Sequence, residues 1–398
     1  MNKGYKARLY PTREQKSQIE QTFGNVRYVY NHFLDLRIKS YKEEKKSVSM
    51  YETMRLLTEL KKDGTQEWLN LTDSMAYQET LKDLDKAYQN FFKRNAGFPK
   101  FHSKKRKQSF RTRNQSNGIR LVANTIKLPK IGYVRYKGLK HFDGRILNAT
   151  ISKSMSGKYY VSLCVETDEP ELTNNGGIIG IDVGIKDFLV DSNENSIPNP
   201  KTYKKYAKKL ARTQRRMSKK VKGSNNREKQ RIKVAIAYEK VTNIRTDFLH
   251  KVTTTLANEN QVVCVEDLNI KGMMKNHKLA RSIADVSWSE FFRMLQYKMS
   301  DRKGILVKIP RFYESSQTCN QCGYKNPEVK DLSIREWDCP KCGTHHNRDA
   351  NAAINILNKG LEILKENTVG HTGINACGHR VRRDENHAVV GEARIPCL

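Results

Sequence analysis

Two Cys-x-x-Cys pairs, Cys319–Cys322 and Cys339–Cys342, limit the fold more tightly than any other feature of the chain. Zn²⁺ favours a tetrahedron of thiolates, and two such turns brought together supply four of them. The interval between the pairs matches the spacing of zinc-binding cysteine sets. Gly323 and Gly343 each follow the second cysteine of a pair, where a tight turn can use positive φ. The pattern predicts one structural Zn²⁺ held by Cys319, Cys322, Cys339 and Cys342. With every position filled by protein, such an ion holds shape and performs no chemistry. His345 and His346 follow at once, but a fifth ligand is not needed.

Beyond the cysteines, Ala350, Ala353, Ile354, Leu357, Leu361 and Leu364 recur at helical spacing and predict a helix with one buried stripe. Asp349 stands at its start, where the helix dipole favours a carboxylate. That position suits a capping acid as well as a catalytic one. Residues 178–190 read as a buried strand with Asp182 in its middle, a tight turn and an apolar return strand. An ionised carboxylate there is costly unless a cation or donor compensates it, and a structural salt bridge would do so too. Residues 261–269 form a β-branched run that ends at Glu266. Ligand sites in open α/β sheets gather at such strand ends.

Two strand acids and one helix-start acid make up the set a two-metal phosphodiesterase site requires. Mg²⁺ takes one or two carboxylates and completes its shell with water and substrate oxygens. Two ions roughly 4 Å apart serve both the attacking and the leaving oxygen of an in-line displacement. Without metal, three converging carboxylates repel one another. The order of the acids describes a ribonuclease H-like fold.

The net charge points to the partner. The 398 residues include 74 Lys and Arg against 42 Asp and Glu, a balance of +32 that needs a polyanion to neutralise it. Nucleic acid fits, because the basic residues are spread along the whole chain. A membrane surface is the rival, but no apolar run is long enough to span a bilayer and the first residues carry no secretory h-region. Cys164 and Cys264 read as core thiols, with Cys377 and Cys397 in the tail. That cysteine usage predicts a reducing, cytoplasmic setting.

Residues 3–10 read as a strand, after which Thr12 and Gln15 resemble a capping box. Ile19, Phe23, Val26, Tyr30, Phe33 and Leu34 then give a helix its apolar face. A second helical block carries Met54, Leu57 and Leu60, and a third runs from Ser74 to Arg94. Ser74 and Gln78 share a face of that third helix, and Gln can pair bidentately with adenine; solvated surface is the default for both. Lys104, Lys105, Arg106 and Lys107, with Phe110, Arg111 and Arg113 beyond them, suit a charged surface or nucleic-acid contact. Residues 119–167 alternate as strands with a hairpin turn at Ser156-Gly157, which suggests a small barrel that could include the N-terminal strand. Lys204, Lys205, Lys208, Arg215 and Arg216 lie in a basic helical stretch able to grip a phosphate backbone, or simply to stay solvated. Residues 282–300 read as one helix. The tail from Asn367 to Leu398 shows no sustained period and is expected to be largely disordered.

Several stretches are also familiar as a set: Gly180-Ile181-Asp182-Val183-Gly184-Ile185-Lys186-Asp187, Val265-Glu266-Asp267-Leu268, Ser315-Ser316-Gln317-Thr318-Cys319 and Arg348-Asp349-Ala350-Asn351-Ala352-Ala353. With Tyr28-Val29-Tyr30-Asn31, Leu84-Asp85-Lys86-Ala87-Tyr88 and Gly97-Phe98-Pro99, they resemble the TnpB family over nearly the whole chain. Its members are RNA-guided DNA endonucleases of bacterial and archaeal insertion sequences, related to the type V CRISPR effectors.

The resemblance implies an α+β multidomain protein. Residues 1–10 and 97–175 would form a wedge-type β-barrel, interrupted by a helical recognition domain at 11–96. A RuvC-like nuclease domain at 176–312 and 346–366 would be split by a zinc ribbon at 313–345. It further implies catalysis and the binding of two Mg²⁺ by Asp182, Glu266 and Asp349, and one Zn²⁺ on the four cysteines. The implied partners are a guide RNA from the element's end and double-stranded target DNA, cut beside a short adjacent motif. Asn347 departs from the Asp often found two positions before the last catalytic acid, which bears on how that acid is oriented. A nuclease-inactive, RNA-guided DNA-binding repressor and a transposase are the competing functions; the first would be expected to have lost the acids.

Overall fold

The computed structural model describes residues 2–105, 108–168 and 172–369. Arg106, Lys107 and residues 370–398 lie outside the described residues; of the tail expected to be disordered from Asn367, the first three residues continue a helix that ends at Val369. The chain divides into two units, residues 1–170 with 213–239 and residues 171–212 with 240–398.

In the first unit the strands are β1 (Asn2–Tyr10), β2 (Gln108–Arg113), β3 (Arg120–Val122), β4 (Thr125–Leu128), β5 (Gly132–Lys137), β6 (Arg145–Lys153) and β7 (Tyr159–Glu166). Between β1 and β2 come the helices α1 (Arg13–Glu44), α2 (Met50–Lys62) and α3 (Ser74–Phe92). The strands form one antiparallel sheet in the order β2-β6-β7-β1-β5-β4-β3. The N-terminal strand therefore sits at the sheet's centre, with the three helices inserted after it. The order ends on β2 and β3, which do not pair with each other among the described residues, so the expected barrel is here an open half-barrel.

Local sequence accounts for these helices. Thr12 accepts the N–H of Gln15 at 3.3 Å, and the Gln15 side chain accepts the N–H of Thr12 at 3.0 Å, a reciprocal cap on α1. The six apolar residues of its 3.6-residue stripe are all buried, in one core with Tyr77, Leu81 and Leu84 of α3 and Phe110, Ile126, Val134, Ile151 and Val161 of the sheet.

The second unit holds β8 (Gly177–Val183), β9 (Asp187–Asp191), β10 (Ser196–Pro198), α4 (Thr202–Ser218), α5 (Asn225–Glu259), β11 (Asn260–Glu266), α6 (Ile270–Met273), α7 (Ala280–Val286), α8 (Trp288–Ser300), β12 (Ile305–Ile309), β13 (Glu336–Asp338), β14 (His345–Asn347) and α9 (Arg348–Val369); residues 213–239 of α4 and α5 belong to the first. The main sheet runs β10-β9-β8-β11-β12, with β8, β11 and β12 mutually parallel and β9 antiparallel to both of its neighbours, β8 and β10. Residues 282–300 are two helices, because Ser287 adopts a left-handed conformation (φ 59°) between α7 and α8.

Strand alternation decides what each face meets. Ile179, Ile181, Val263, Val265 and Leu306 pack with Leu249 and Leu256 of α5 and Phe291 and Leu295 of α8. Gly180, Val262, Cys264, Val307 and Ile309 occupy the opposite face, where α9 lies. Burial pushes the Cys264 thiol up to about 12, as befits an inert core group. The buried stripe of α9 differs from the expected one. Ala353, Ile356 and Gly360 are buried, whereas Ile354 and Leu361 are only half-buried. The helix is rotated so that glycine meets the sheet: a Cβ on Gly360 would strike the Cys264 sulfur, and one on Gly180 the Ala353 carbonyl.

Candidate active site and zinc ribbon

Register brings the two strand acids together. Ile181 of β8 pairs with Val265 of β11, so Asp182 and Glu266 are the next residues along adjacent parallel strands, whose spacing is about 4.8 Å. By alternation each shares the α9 face with Gly180 and Cys264. Asp182 is thus the penultimate residue of β8, not its middle, and both acids sit at strand ends. β14 delivers the chain into α9, with Asp349 as its second residue.

The three acids line one cavity of about 520 Å³, together with Phe312, Ser315, Gln317, Arg335 and Arg348. All three are half-buried. Burial, and then the charges of Glu266 and Asp349, hold the Asp182 carboxyl well above its usual range, against Arg348 and the N–H of Val183. Burial raises Glu266 as well, opposed by the Ser315 hydroxyl, which donates to its carboxylate at 2.6 Å. The Arg335 guanidinium approaches Asp349 at 3.5 Å. A carboxylate destabilised by two neighbouring carboxylates calls for a cation, and hard oxygen donors suit Mg²⁺. Among the described residues, only the cysteines gather three or more donor atoms within 4.8 Å of one another. The three acids do not close to that distance.

The cysteines do close into a cage. The sulfurs of Cys322 and Cys339 are 3.6 Å apart and those of Cys319 and Cys342 3.7 Å. A tetrahedron with Zn–S of about 2.3 Å puts its sulfurs about 3.8 Å apart. Gly323 and Gly343 both have φ 72°, and each donates its N–H back to the first cysteine of its pair, at 3.0 and 2.9 Å. A hydrogen bond with the Thr344 hydroxyl lowers the Cys342 thiol, while burial and the three neighbouring sulfurs raise that of Cys322, so the four sulfurs titrate as one set. His346 is buried against Trp337 with Nε2 3.1 Å from the Cys319 sulfur, so it supports the cage from outside.

The basic candidates scatter more widely. Lys104, Lys105, Lys204, Lys205, Lys208, Arg215 and Arg216 are exposed. Arg111 and Arg113 are engaged: both grip the buried carboxylate of Glu79, at 2.8 and 2.6 Å, and Arg111 also reaches Asp83 at 2.6 Å. Ser74 is exposed and Gln78 half-buried in the first turns of α3. Among the described residues no helix is long and apolar enough to cross a membrane.

A family model described as "Probable transposase" matches residues 162–277, one described as "Cas12f1-like, TNB domain" matches 288–356, and one described as "Helix-turn-helix domain" matches 1–46. This last segment is here a strand followed by one long helix. A Streptomyces pristinaespiralis protein named "Putative RNA-guided DNA endonuclease" is 35% identical over 99% of this chain and 96% of its own. Escherichia coli K12 InsQ, which bears the same description, is 32% identical over 95% of this chain and 94% of its own. The "TnpB-like protein L79" of Acanthamoeba polyphaga mimivirus is 24% identical over 90% of this chain and 73% of its own. The chain belongs to the TnpB family.

Sequence reasoning assigned no role to the side chains that organise the site of this TnpB-family chain. Arg348 is buried and donates to the carbonyls of Asp331 (2.7 Å) and Ile334 (3.3 Å), fixing the start of α9 to the ribbon. Asn351 and Asn355 are buried in the helical stripe and donate to the carbonyls of Ser315 and Thr318. Two asparagines within an apolar stripe were the available signal.

Proposed function

We propose that this protein is an RNA-guided, divalent-metal-dependent DNA endonuclease of a transposable element, acting in the cytoplasm and cutting DNA beside a short adjacent motif. The observation that carries the reading is the register of β8 and β11, which sets Asp182 beside Glu266 in the cavity that Asp349 lines. The relatives bearing that description, matched nearly end to end, support it. So does the charge of +32, which suits a chain that folds around nucleic acid.

In this reading residues 176–312 and 346–366 are a RuvC-like, ribonuclease H-type nuclease domain, and residues 313–345 its zinc ribbon. The half-barrel is the wedge and α1–α3 the recognition domain. Asp182, Glu266 and Asp349 would hold two Mg²⁺. Those ions would supply activation of water and stabilisation of the leaving 3′-oxygen in an in-line displacement that leaves a 5′-phosphate. The chain's own contribution is preorganisation: parallel strands fix two carboxylates side by side, Ser315 orients one of them, and Arg335 and Arg348 add positive charge near the scissile phosphate. Guide RNA pairs with one strand of double-stranded target DNA and reads sequence, while protein reads duplex shape and the adjacent motif. Lys104, Lys105, Arg106, Lys107, Arg111, Arg113, Lys204, Lys205, Lys208, Arg215 and Arg216 are the candidate backbone contacts, and Ser74 and Gln78 the candidate base readers.

The test is cleavage by the full chain purified with its co-purifying RNA, whose sequence defines the target. Asp182→Ala should abolish cleavage while guided DNA binding persists. Undiminished cleavage by that variant would remove the catalytic assignment. Retention of all three acids favours the nuclease over a repressor, and strand transfer without RNA should be absent.

A further inference from the structure

Glu266 and the first zinc knuckle are joined by a short chain of buried hydrogen bonds. Ser315 is 6% exposed and its hydroxyl donates to the Glu266 carboxylate at 2.6 Å. Its carbonyl accepts the side-chain amide of Asn355 at 2.8 Å and that of Asn351 at 3.4 Å. The same two amides donate to the Thr318 carbonyl, at 2.6 and 2.8 Å, one residue before the ligand Cys319. Asn351 closes the ring by accepting the N–H of Asn320 at 3.0 Å, inside the knuckle. Both asparagines are almost fully buried, at 1% and 5% exposure. Buried amides satisfied by specific carbonyls fix a loop far more rigidly than apolar packing does.

We propose that Ser315 is a positioning residue for Glu266, and that Asn351 and Asn355 hold it in place by clamping the first zinc knuckle onto α9. The inference rests on the nuclease reading above. The geometry gives each member one task. Ser315 occupies one carboxylate oxygen of Glu266, leaving the other for a cation. The asparagines lock the backbone that carries Ser315, from the same helix that carries Asp349. Two acids on different elements are thereby referenced to one rigid segment. Partners that orient a metal-binding carboxylate typically contribute about 10- to 100-fold in metal affinity.

The test uses the full chain with its guide RNA and Mn²⁺ as the probe, followed by calorimetry. Asp182→Ala with the same RNA serves as the blank for ions bound elsewhere. Ser315→Ala should weaken the Asp182-dependent Mn²⁺ site about 10-fold or more. The Mg²⁺ concentration for half-maximal cleavage should rise in step, with zinc content and guided DNA binding unchanged. Ser315→Thr, which keeps the hydroxyl, should restore the affinity, and Asn355→Ala should reproduce the Ser315→Ala shift. Parental Mn²⁺ affinity in Ser315→Ala would overturn the positioning role, as would equal loss in Ser315→Ala and Ser315→Thr. Parental affinity in Asn355→Ala would overturn the clamp. If the unmodified chain bound no more Mn²⁺ than the Asp182→Ala blank, the nuclease reading itself would fall, and this inference with it.

Discussion

The side-chain oxygen of Asn347 accepts the backbone N–H of Asp349 at 3.1 Å and that of Ala350 at 3.2 Å. Asn347 is therefore the cap of α9, and Asp349 is released from the capping role that its position at the helix start would otherwise suggest. Its carboxylate faces the cavity and Arg335 instead. Asn347→Ala should cost about 1 kcal/mol of stability through loss of the cap. Asn347→Asp, which keeps an acceptor where the dipole is positive, should lie within a few tenths of the parent. Urea unfolding midpoints of the three proteins check this.

Asp182 contributes to the pH dependence of the metal-free chain. Its carboxyl titrates higher in the folded state than in the unfolded one, chiefly through burial and the charge of Glu266. Below the unfolded-state value both states are protonated and no penalty exists. As pH rises the folded state must give up a proton it binds more tightly, so stability falls and the full penalty applies above the folded-state value. Asp182→Asn should therefore raise the melting temperature of the metal-free protein by a few degrees at neutral pH, with the difference vanishing near pH ~4. Mg²⁺ should stabilise the parent at neutral pH and leave Asp182→Asn nearly unmoved. Melting curves across pH, with and without Mg²⁺, separate the two effects.

Much of this site was legible because its signals are local. Cysteine spacing, β-branched runs interrupted by an acid, and a capping box each act within a short stretch of chain, about 25 residues at most. Asp182, Glu266 and Asp349 could be singled out for that reason. Their juxtaposition depends on strand register, which couples residues far apart in the chain. Ser315, Arg348 and Asn351 stand in the familiar stretches but took no role from them, and Asn355 was not singled out, because a polar side chain advertises nothing about a partner 14 to 49 residues away. The α9 stripe was misplaced for a similar reason. Counting apolar residues favoured Ile354 and Leu361, whereas close approach to β8 and β11 selected a face containing Gly360.

Loss of zinc should disable the nuclease without touching an acid. The ribbon supplies the Asp331 and Ile334 carbonyls that receive Arg348, and the knuckle that carries Ser315. Cys339→Ser should abolish stoichiometric zinc, lower the melting temperature and suppress cleavage even at saturating Mg²⁺. Elemental analysis beside a cleavage assay decides the matter: normal cleavage by a zinc-free chain would mean that the ribbon does not support the site.

Gly180 tests how closely α9 must approach the sheet. It lies two residues before Asp182 on the same face of β8, and a Cβ there would overlap the Ala353 carbonyl and come within 2.7 Å of Leu357. Both contacts lie on the helix's sheet-facing side, so neither can rotate away without moving the backbone of α9. Overpacking of this kind typically costs about 1–3 kcal/mol. Gly180→Ala should lower the unfolding midpoint accordingly. Because Asp349 rides on α9, the shift should also carry its carboxylate away from Asp182 and Glu266. Cleavage should then fall by more than the fraction of unfolded protein accounts for, and extra Mg²⁺ should restore only part of it. A variant equally destabilised at a distance from α9, such as Phe33→Leu in the core of the first unit, provides the control. If both variants lost activity only in proportion to their unfolding, the spacing between helix and sheet would matter for stability and not for placing the third acid.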